Sequence, residues 1–429
     1  MKKGYKQTEI GIIPEDWQIK SVGSLCDCIV PGRNKPRLFN GDIPWITTPD
    51  IKGNKVSTSK LNLFISKEEA KKVGSRIVPK NSIIISCVGD FGIVTMAETN
   101  IVINQQLHAF LPSNLLNQNY LLYSLINQKQ YMENIATKTA VPYMNKENCN
   151  SIPIPLPPLP EQTAIAEALS DTDELLTTLE KLIEKKKLIK KGTMQELLTG
   201  KTRLPGFNTY SKDAMHRVST GVSTTIPRGY RQTEVGLIPV DWEVKSVGDV
   251  ITFQGGSQPP LTTFRPVYKE GYIRLLQIRD YKTNKYETYI PKNLARRFCN
   301  KEDIMIGRYG PPIFQILKGL EGAYNVALLK AIPTDKIVKE YAYYFLKQDI
   351  IFNFVEKLSQ RSSGQTGVDL PQLKSYPLGL PSVSEQTAIA ETLSDMDSEI
   401  EMLEKKLEKT KQIKQGMMQE LLTGRIRIV

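Results

Sequence analysis

One segment of this chain occurs twice. Residues 4–23 are GYKQTEIGIIPEDWQIKSVG and residues 229–248 are GYRQTEVGLIPVDWEVKSVG, so that 14 of 20 aligned positions are identical. Chance does not produce such a match over this length. The chain is therefore a duplication with a unit of roughly 225 residues, and both copies are expected to adopt the same fold.

Two further segments recur at the end of each copy. EQTAIAEALSD at 161–171 corresponds to EQTAIAETLSD at 385–395, and MQELLTG occurs at 194–200 and at 418–424. Between these anchors the copies have diverged, although short β-branched runs bounded by Gly, Pro and Asn predict strands in both. Each copy thus combines a well-kept frame with a variable middle, which favours one architecture that recognises two different targets.

The end of each copy also predicts a long helix. No proline occurs in residues 161–199 or 385–423, and such a span forms a helix of roughly 58 Å. Apolar residues recur at alternating spacings of four and three, the pattern of a coiled-coil seam, with Thr172 as the one polar exception. The seam positions are Ile165, Leu169, Leu176, Leu179, Ile183, Ile389, Leu393, Met396, Ile400, Leu403 and Leu407.

The two seams are expected to pair within the chain, because the effective concentration of one for the other is high. Antiparallel pairing would hold two globular domains apart. Association with other chains, or packing of each helix on its own domain, is the alternative. Pro160 is expected to open the first helix, Ser384 to cap the second, and Gly200 and Gly424 to follow their ends.

Another glycine interrupts each helix at an equivalent place, which predicts a close crossing or a kink; these are Gly192 and Gly416. The polar segment 201–228, which contains Lys201, Arg203 and a Ser/Thr-rich stretch, predicts an exposed linker between the copies.

The charge of the chain indicates its partner. A formal net charge of +12 and a pI near 9.2 favour a polyanion, with nucleic acid as the first candidate. No apolar run of 18 residues occurs and the N-terminus has no signal-like apolar stretch, so a cytoplasmic protein without membrane spans is expected. The odd number of cysteines and the two histidines argue against a disulfide framework and a metal site, and predict buried thiols.

The repeated motifs resemble those of a known family. Pro-Leu-Pro-Glu-Gln-x-x-Ile-Ala at Pro158–Ala166, its counterpart at Ser384–Ala390, and Gln-Glu-Leu-Leu-Thr-Gly at both helix ends are similar to motifs of specificity subunits of type I restriction–modification systems. The Thr-Glu-(Ile/Val)-Gly-x-Ile-Pro-x-Asp-Trp segments at Thr8–Trp17 and Thr233–Trp242 belong to the same pattern. The resemblance covers essentially the whole chain, including its duplication.

The resemblance implies an α+β fold with two globular target recognition domains, separated by two long helices that form an intramolecular antiparallel coiled coil in a pseudo-twofold tandem repeat. The implied ranges are 1–20 (N-terminal repeat segment), 21–158 (recognition domain 1), 159–200 (spacer helix 1), 201–228 (linker), 229–248 (second repeat segment), 249–380 (recognition domain 2) and 381–429 (spacer helix 2).

The resemblance also implies the partners. Each recognition domain would read one half of a bipartite, asymmetric site in double-stranded DNA, and the helices would dock two adenine-N6 methyltransferase subunits. Restriction subunits that translocate DNA would join the same complex. S-adenosylmethionine, ATP and Mg²⁺ are expected on those partners and no cofactor on this chain. An orphan two-headed regulatory or architectural DNA-binding protein is the alternative.

An enzymatic function of the chain itself has little support in the sequence. Neither Gly-x-Gly-x-x-Gly nor Gly-x-x-x-x-Gly-Lys-(Ser/Thr) occurs. Pro49-Asp50 with Glu69-Ala70-Lys71 fits a loose nuclease pattern, but the second copy has no equivalent triad. The chain is therefore expected to be non-catalytic.

Candidate DNA contacts are polar residues of the best-aligned loops, since Arg, Asn and Gln read base edges and Lys, Ser and Thr mostly bind phosphates. Trp17 and Trp242 belong to the repeated frame and are expected to pack rather than stack on bases. The candidates are Thr47, Thr48, Lys52, Asp90, Gln105, Lys138, Thr139, Tyr143 and Lys146 in the first copy, and Arg274, Gln277, Arg279, Arg308, Tyr309, Gln360, Arg361, Ser362, Ser363 and Gln365 in the second.

Overall fold

The computed structural model describes residues 4–32, 34–207, 226–359 and 367–428. It divides into two compact units, each of which contains parts of both copies. Unit 1 comprises Met1–Leu182 and Leu403–Val429, and unit 2 comprises Ile183–Met402. The tandem α+β repeat predicted from the sequence is confirmed, and its two long helices are each divided between the units.

Unit 1 contains short strands and small helices before its first long helix. The strands are β1 (Tyr5–Thr8), β2 (Gly11–Pro14), β3 (Gln18–Ser21), β4 (Cys28–Ile29), β5 (Ile43–Ile46), β6 (Lys55–Val56), β7 (Phe64–Ile65), β8 (Ile83–Ser86), β9 (Val94–Ala97), β10 (Val102–Ile103), β11 (Leu107–Phe110) and β12 (Pro153–Leu156). The helices are α1 (Val22–Leu25), α2 (Lys67–Lys72), α3 (Gln118–Asn127), α4 (Lys129–Ile135), α5 (Lys146–Ser151) and α6 (Leu159–Leu198), the last of which ends in unit 2.

The sheets of unit 1 are built around fully buried strands. A five-stranded sheet has the order β4-β11-β8-β9-β6, and a three-stranded sheet has the order β10-β5-β7. Every side chain of β8 and β11 is buried, in agreement with the strand predicted from the run Ile83–Ile85. The parallel pairing of β10 with β5 brings the carboxyl ends of both strands to one edge.

Unit 2 repeats this plan with altered details. Its strands are β13 (Tyr230–Thr233), β14 (Gly236–Pro239), β15 (Glu243–Ser246), β16 (Ile251–Gly255), β17 (Tyr272–Leu276), β18 (Tyr289–Pro291), β19 (Phe298–Cys299), β20 (Ile304–Gly307), β21 (Ile316–Leu317), β22 (Gly322–Tyr324), β23 (Leu328–Pro333) and β24 (Pro377–Leu380). Its helices are α7 (Val247–Val250), α8 (Lys339–Leu346), α9 (Asp349–Ser359), α10 (Leu370–Ser375) and α11 (Val383–Leu421), the last of which ends in unit 1. The sheets have the orders β16-β23-β20-β21 and β18-β17-β22-β19.

The long helices pair in antiparallel fashion within each unit. In unit 1, Asp173 of α6 binds Lys414 of α11, and Glu180 further along α6 binds Lys411, which lies earlier in α11. In unit 2 the same crossing order holds: Lys186 of α6 binds Glu399 and Lys190 binds Asp397. All residues of the predicted seam are buried or half-buried.

The ends of the helices follow the sequence in part. Gly200 and Gly424 adopt φ of +69° and +68°, as expected after a helix end. The prediction that Ser384 caps α11 is wrong, because the helix begins at Val383 and the Oγ of Ser382 accepts the hydrogen bond from the backbone N–H of Glu385 at 3.3 Å.

The interrupting glycines have no packing role in the described parts of the chain. A Cβ placed on Gly192 or Gly416 would have no atom within 4 Å, and both helices continue through these positions. The close crossing predicted there is therefore wrong. All five cysteines are buried free thiols, as predicted. The helices of the described regions include none that is long and apolar enough to cross a membrane.

Candidate nucleic-acid interface

In each unit, the repeated motifs of one copy contact those of the other copy. In unit 1, Glu161 at the start of α6 accepts a hydrogen bond from the indole N–H of Trp17 at 3.1 Å and two from the guanidinium of Arg427 at 2.8 and 2.6 Å. The same guanidinium donates to both carboxylate oxygens of Asp16. The C-terminal end of the chain is thereby bound to its N-terminal segment.

Unit 2 repeats this arrangement with Arg203. Its guanidinium donates to Glu385 at 2.8 and 2.6 Å and to Asp241 at 3.0 and 2.9 Å, while Trp242 donates to Glu385 at 3.1 Å. The prediction that Arg203 lies in an exposed linker is wrong, since its side chain is 6% exposed. Both tryptophans are buried packing residues, as expected.

The sequence carries a signal for these arginines. Each MQELLTG segment is followed by an arginine three residues after its glycine, so that Arg203 and Arg427 share the offset of the motif itself. The glycine contact is equally repeated. A Cβ on Gly200 would approach the Cδ of Pro239 to 2.6 Å, and one on Gly424 would approach that of Pro14 to 2.5 Å.

The frame of unit 1 brings four loops together. Cys87 follows β8, and its backbone N–H donates to the carbonyl of Gln106 at 2.8 Å, while its carbonyl accepts from Met144 at 2.9 Å. The side chain of Thr48 donates to that of Gln106 at 3.1 Å. The loops after β5, β8 and β10 and the segment before α5 therefore form one cluster, which is termed the unit 1 loop cluster.

Most candidate contacts of the first copy lie on or beside this cluster. Tyr143 is 46% exposed and its residue pairs with Val88 across an isolated bridge. The carboxylate of Asp90 binds Lys129 at 3.0 Å and accepts the N–H of Gly92, so its charge is matched locally. The other candidates are Thr47, which lies beside Thr48, and the exposed residues Lys52, Gln105, Lys138, Thr139 and Lys146.

The loops of unit 2 are joined by equivalent backbone hydrogen bonds. Arg308 follows β20; its N–H donates to the carbonyl of Ala327 at 2.8 Å and its carbonyl accepts from Val368 at 3.2 Å. The N–H of Asn325 donates to the carbonyl of Leu276 at 3.1 Å. This unit 2 loop cluster carries Arg308 and Tyr309, with the Arg308 guanidinium 5.2 Å from the ring centroid of Tyr309.

Three other candidates of unit 2 lie around the short turn that follows β17. Gln277 precedes the turn, and its backbone N–H donates to Asp280 at 2.8 Å. Arg274 is engaged in an ion pair with Glu287 at 3.1 Å, whereas the side chain of Arg279 is 50% exposed. The remaining candidates, Gln360, Arg361, Ser362, Ser363 and Gln365, lie outside the described residues.

The turns that follow β5 and β17 hold equivalent carboxylates that are both 3% exposed but differ in their hydrogen bonds. Burial opposes ionisation of Asp50, but hydrogen bonds from the hydroxyl and N–H of Thr47, from Lys60 and from Ser59 prevail, so its pKa lies below the ordinary value. Burial raises the pKa of Asp280, and its Oδ1 has no hydrogen-bond partner among the described residues.

The acidic residues of the nuclease-like pattern, Asp50 and Glu69, accept hydrogen bonds from backbone N–H groups of the chain itself. Asp50 caps its turn, and Glu69 accepts the backbone N–H groups of Arg37 and Leu38 at 2.7 and 3.3 Å. Across the described ranges, no group of three or more His, Cys, Asp or Glu side chains is arranged to hold a metal ion.

Comparisons with known proteins agree with this architecture. The chain is 26% identical to the type I restriction enzyme MjaVIII specificity subunit of Methanocaldococcus jannaschii, over 97% of this chain and 94% of that protein. It is 27% identical to the putative type I restriction enzyme MjaX specificity subunit of the same organism, over 100% of this chain and 97% of that protein.

A solved structure shares the fold. The type I restriction–modification S subunit from M. genitalium aligns with a TM-score of 0.55 at 16% identity, over 94% of this chain and 96% of that chain. The model of the type I restriction modification DNA specificity domain matches residues 14–191 and 239–412, once in each copy. The chain belongs to the family of type I restriction–modification DNA specificity proteins.

Proposed function

We propose that this chain is the DNA-reading subunit of a type I restriction–modification complex and that each unit reads one half of a bipartite, asymmetric site. The observation that carries the proposal is the pair of loop clusters. Equivalent backbone hydrogen bonds, from Cys87 to Gln106 and from Arg308 to Ala327, support different side chains in the two units. One frame with two sets of exposed groups suits two unlike half-sites.

The charge of the chain supports a duplex partner. Its net charge of +12 favours the DNA backbone through release of counterions. Lys138 and Lys146 of unit 1 and Lys282 and Lys285 of unit 2 are exposed and can bind phosphates. Phosphate contacts would then fix the position of each unit, and neighbouring side chains would select the bases.

The long helices offer equivalent surfaces for two copies of one partner. Ile189 of α6 and Ile413 of α11 occupy the same position of the repeat and are 44% and 49% exposed. Gly192 and Gly416 follow three residues later, on the same helix face, with open space above them. An exposed isoleucine beside a glycine lets a partner helix approach closely, and its recurrence in both helices suits two methyltransferase subunits.

Chemistry is assigned to those partners. The carboxylates of Asp50 and Glu69 bind groups of the chain's own fold, which supports a non-catalytic subunit. S-adenosylmethionine, ATP and Mg²⁺ would therefore be bound by the methyltransferase and restriction subunits.

Methylome mapping tests the proposal. Cells that express the chain with a methyltransferase subunit of a type I system are expected to carry adenine methylation at a two-part motif with an unread spacer. The chain alone, incubated with DNA, S-adenosylmethionine and Mg²⁺, is expected to methylate and cleave nothing. Catalysis by a pure preparation, or methylation without a two-part motif, would contradict the proposal. Binding of a two-part site with no methyltransferase gene nearby would favour the orphan regulator instead.

Docking has its own test. Ile189→Asp and Ile413→Asp are each expected to reduce the number of bound methyltransferase subunits from two to one in analytical ultracentrifugation, and the double variant to bind none. Leu188→Gln is the matched control, because Leu188 is 64% exposed and the second copy has Gln412 in its place. Full assembly of the double variant would exclude this surface.

A further inference from the structure

We propose that Arg279 reads guanine in the half-site of unit 2 and that Tyr286 positions its guanidinium. The inference rests on the proposed function for its ligand, duplex DNA, and adds the base and the residues that select it. Arg279 and Tyr286 are exposed to similar degrees, with half of the Arg279 side chain and 51% of Tyr286 open to solvent.

The guanidinium of Arg279 is held in one orientation. Its Cζ lies 5.5 Å from the centroid of the Tyr286 ring, and Nη2 donates to the Tyr286 carbonyl at 3.3 Å. Nη2 also lies 3.5 Å from the hydroxyl oxygen of Thr288. Within the described parts of the chain, Nη1 has no hydrogen-bond partner, so it is available to a ligand. A planar guanidinium can donate two hydrogen bonds to O6 and N7 of guanine.

The segment that carries Tyr286 is anchored on both sides. Arg274 donates to the side chain of Asn284 at 3.1 Å and forms an ion pair with Glu287 at 3.1 Å. The hydroxyl of Tyr289 donates to Glu287 at 2.6 Å. A segment fixed before binding loses little conformational freedom when it meets the DNA, which favours affinity. Arg274 thus fixes the segment that carries Tyr286 and is not assigned a contact with a DNA base.

The exposed charges of this segment are positive. Asp280 is buried with its Oδ1 4.0 Å from the Nε of Arg279, and the charge of Glu287 is matched by Arg274. Lys282 and Lys285 are exposed, and the Nζ of Lys285 lies 5.4 Å from the Tyr286 ring centroid. The lysines can bind phosphates on either side of the base that Arg279 contacts.

Among its described residues, unit 1 has no such element at the corresponding place. After the turn that ends at Asp50, its chain forms β6, which pairs in parallel with β9 and extends the five-stranded sheet. Asn54, just before β6, donates to Asp173 of α6 at 2.6 Å. In unit 2 the turn that ends at Tyr281 leads instead into the exposed segment with Tyr286. The two units therefore present different groups at the same position of the frame, as unlike half-sites require.

Selection from a library of randomised DNA duplexes tests the inference with the full-length chain. The wild-type chain is expected to enrich a two-part motif. Arg279→Lys keeps the charge but loses the planar pair of donors, so preference for guanine at one position of one half should fall about tenfold. Tyr286→Ala should weaken the guanine preference at the same position, and Tyr286→Phe should retain it. The base preferences in the other half-site should be unchanged in all three variants.

Arg296→Lys is the matched control, since Arg296 is an exposed arginine of unit 2 outside this segment. The guanine preference of this variant should equal that of the wild type. A wild-type two-part motif that Arg279→Lys and Tyr286→Ala leave unchanged would overturn the inference while the proposed function stands. Equal loss at every position of both halves would also overturn it. Failure of the wild-type chain to enrich any two-part motif would overturn the proposed function and the inference with it.

Discussion

Arg427 donates two hydrogen bonds to the carboxylate of Glu161, 266 residues earlier in the chain. Glu161 is 5% exposed and also accepts from Trp17, so the C-terminal end of the chain completes a buried site in unit 1. In unit 2 the equivalent site is completed by Arg203, at the end of the first copy. Each copy therefore supplies the arginine for the carboxylate of the other.

Removal of either arginine should destabilise its unit. Arg203→Ala leaves Glu385 buried without its cation and should cost about 3–5 kcal/mol in the free energy of unfolding. Arg427→Ala should cost less, since the Arg427 side chain is 31% exposed and that of Arg203 only 6%. Urea unfolding followed by tryptophan fluorescence would measure both. Arg425→Ala is the control, because Arg425 is 63% exposed; equal stability of all three variants would contradict the prediction.

A second prediction concerns the helix pair. Lys414 binds Asp173, which also accepts from the hydroxyl of the buried Tyr123 at 2.7 Å, and the side chains of Lys414 and Asp173 are only 18% and 26% exposed. Lys414→Ala should therefore cost about 1.5–3 kcal/mol. The neighbouring pair of Lys411 with Glu180 is half-exposed on both sides, and Lys411→Ala should cost less than about 0.5 kcal/mol. If thermal unfolding showed Lys411→Ala to be the less stable variant, the prediction that the Lys414–Asp173 pair contributes more to stability would be wrong.

Much of the frame could be predicted because it depends on local pattern. The seam from Ile165 to Ile183 and the strand at Ile83–Ile85 are visible as periodicity, and their apolar residues are buried except for the half-buried Leu176. The contact of Arg203 with Glu385 could not be predicted in the same way, because it joins residues 182 positions apart. The polar composition of the segment around Arg203 predicted an exposed side chain, but Arg203 is buried because it binds the carboxylates of Glu385 and Asp241.

In the candidate interface, too, local sequence patterns could be predicted and contacts between distant residues could not. Alignment of the copies predicts that the candidate contacts lie in loops, but Arg274 lies within β17 and Lys146 begins α5. It also could not show that Arg274 is engaged by Glu287 while half of the Arg279 side chain is exposed. Tyr286 was not a candidate, because its role depends on the cations beside it in space. The hydrogen bonding of Asp50 and Asp280 also differs although they occupy equivalent turns, since Asp50 accepts from Ser59 and Lys60, which lie beyond the aligned turn.

The two turn carboxylates should respond to pH in opposite directions. The pKa of Asp50 is below its ordinary value in the folded chain, so its stabilising effect is present above that ordinary value and is lost as pH falls through the lowered one. Asp50→Asn should therefore cost about 1–3 kcal/mol at pH 7. The difference from the wild type should shrink below about pH 4 in urea unfolding. A difference that stayed constant to pH 3 would contradict the assigned ionisation.

Asp280→Asn is the counterpart. Burial raises the pKa of Asp280, so its contribution to stability is present below the ordinary value and is lost as pH rises through the raised one. A neutral amide avoids the cost of a buried charge, and the variant should unfold at a higher urea concentration than the wild type at pH 7. The gain should vanish on acidification. A variant less stable than the wild type at neutral pH would show that the ionised carboxylate is required.

The glycines within the long helices should be replaceable at no structural cost. Gly192→Ala and Gly416→Ala add a methyl group to open space and remove the flexibility of glycine, so each should stabilise the isolated chain by about 1 kcal/mol and raise its melting temperature. Gly200→Ala is the contrasting control: its φ of +69° and the Cδ of Pro239 at 2.6 Å should make it destabilising. If Gly192→Ala lowered the melting temperature, a packing role within the chain would be required. Stabilised variants that bind methyltransferase subunits more weakly would instead place the glycines at the docking surface.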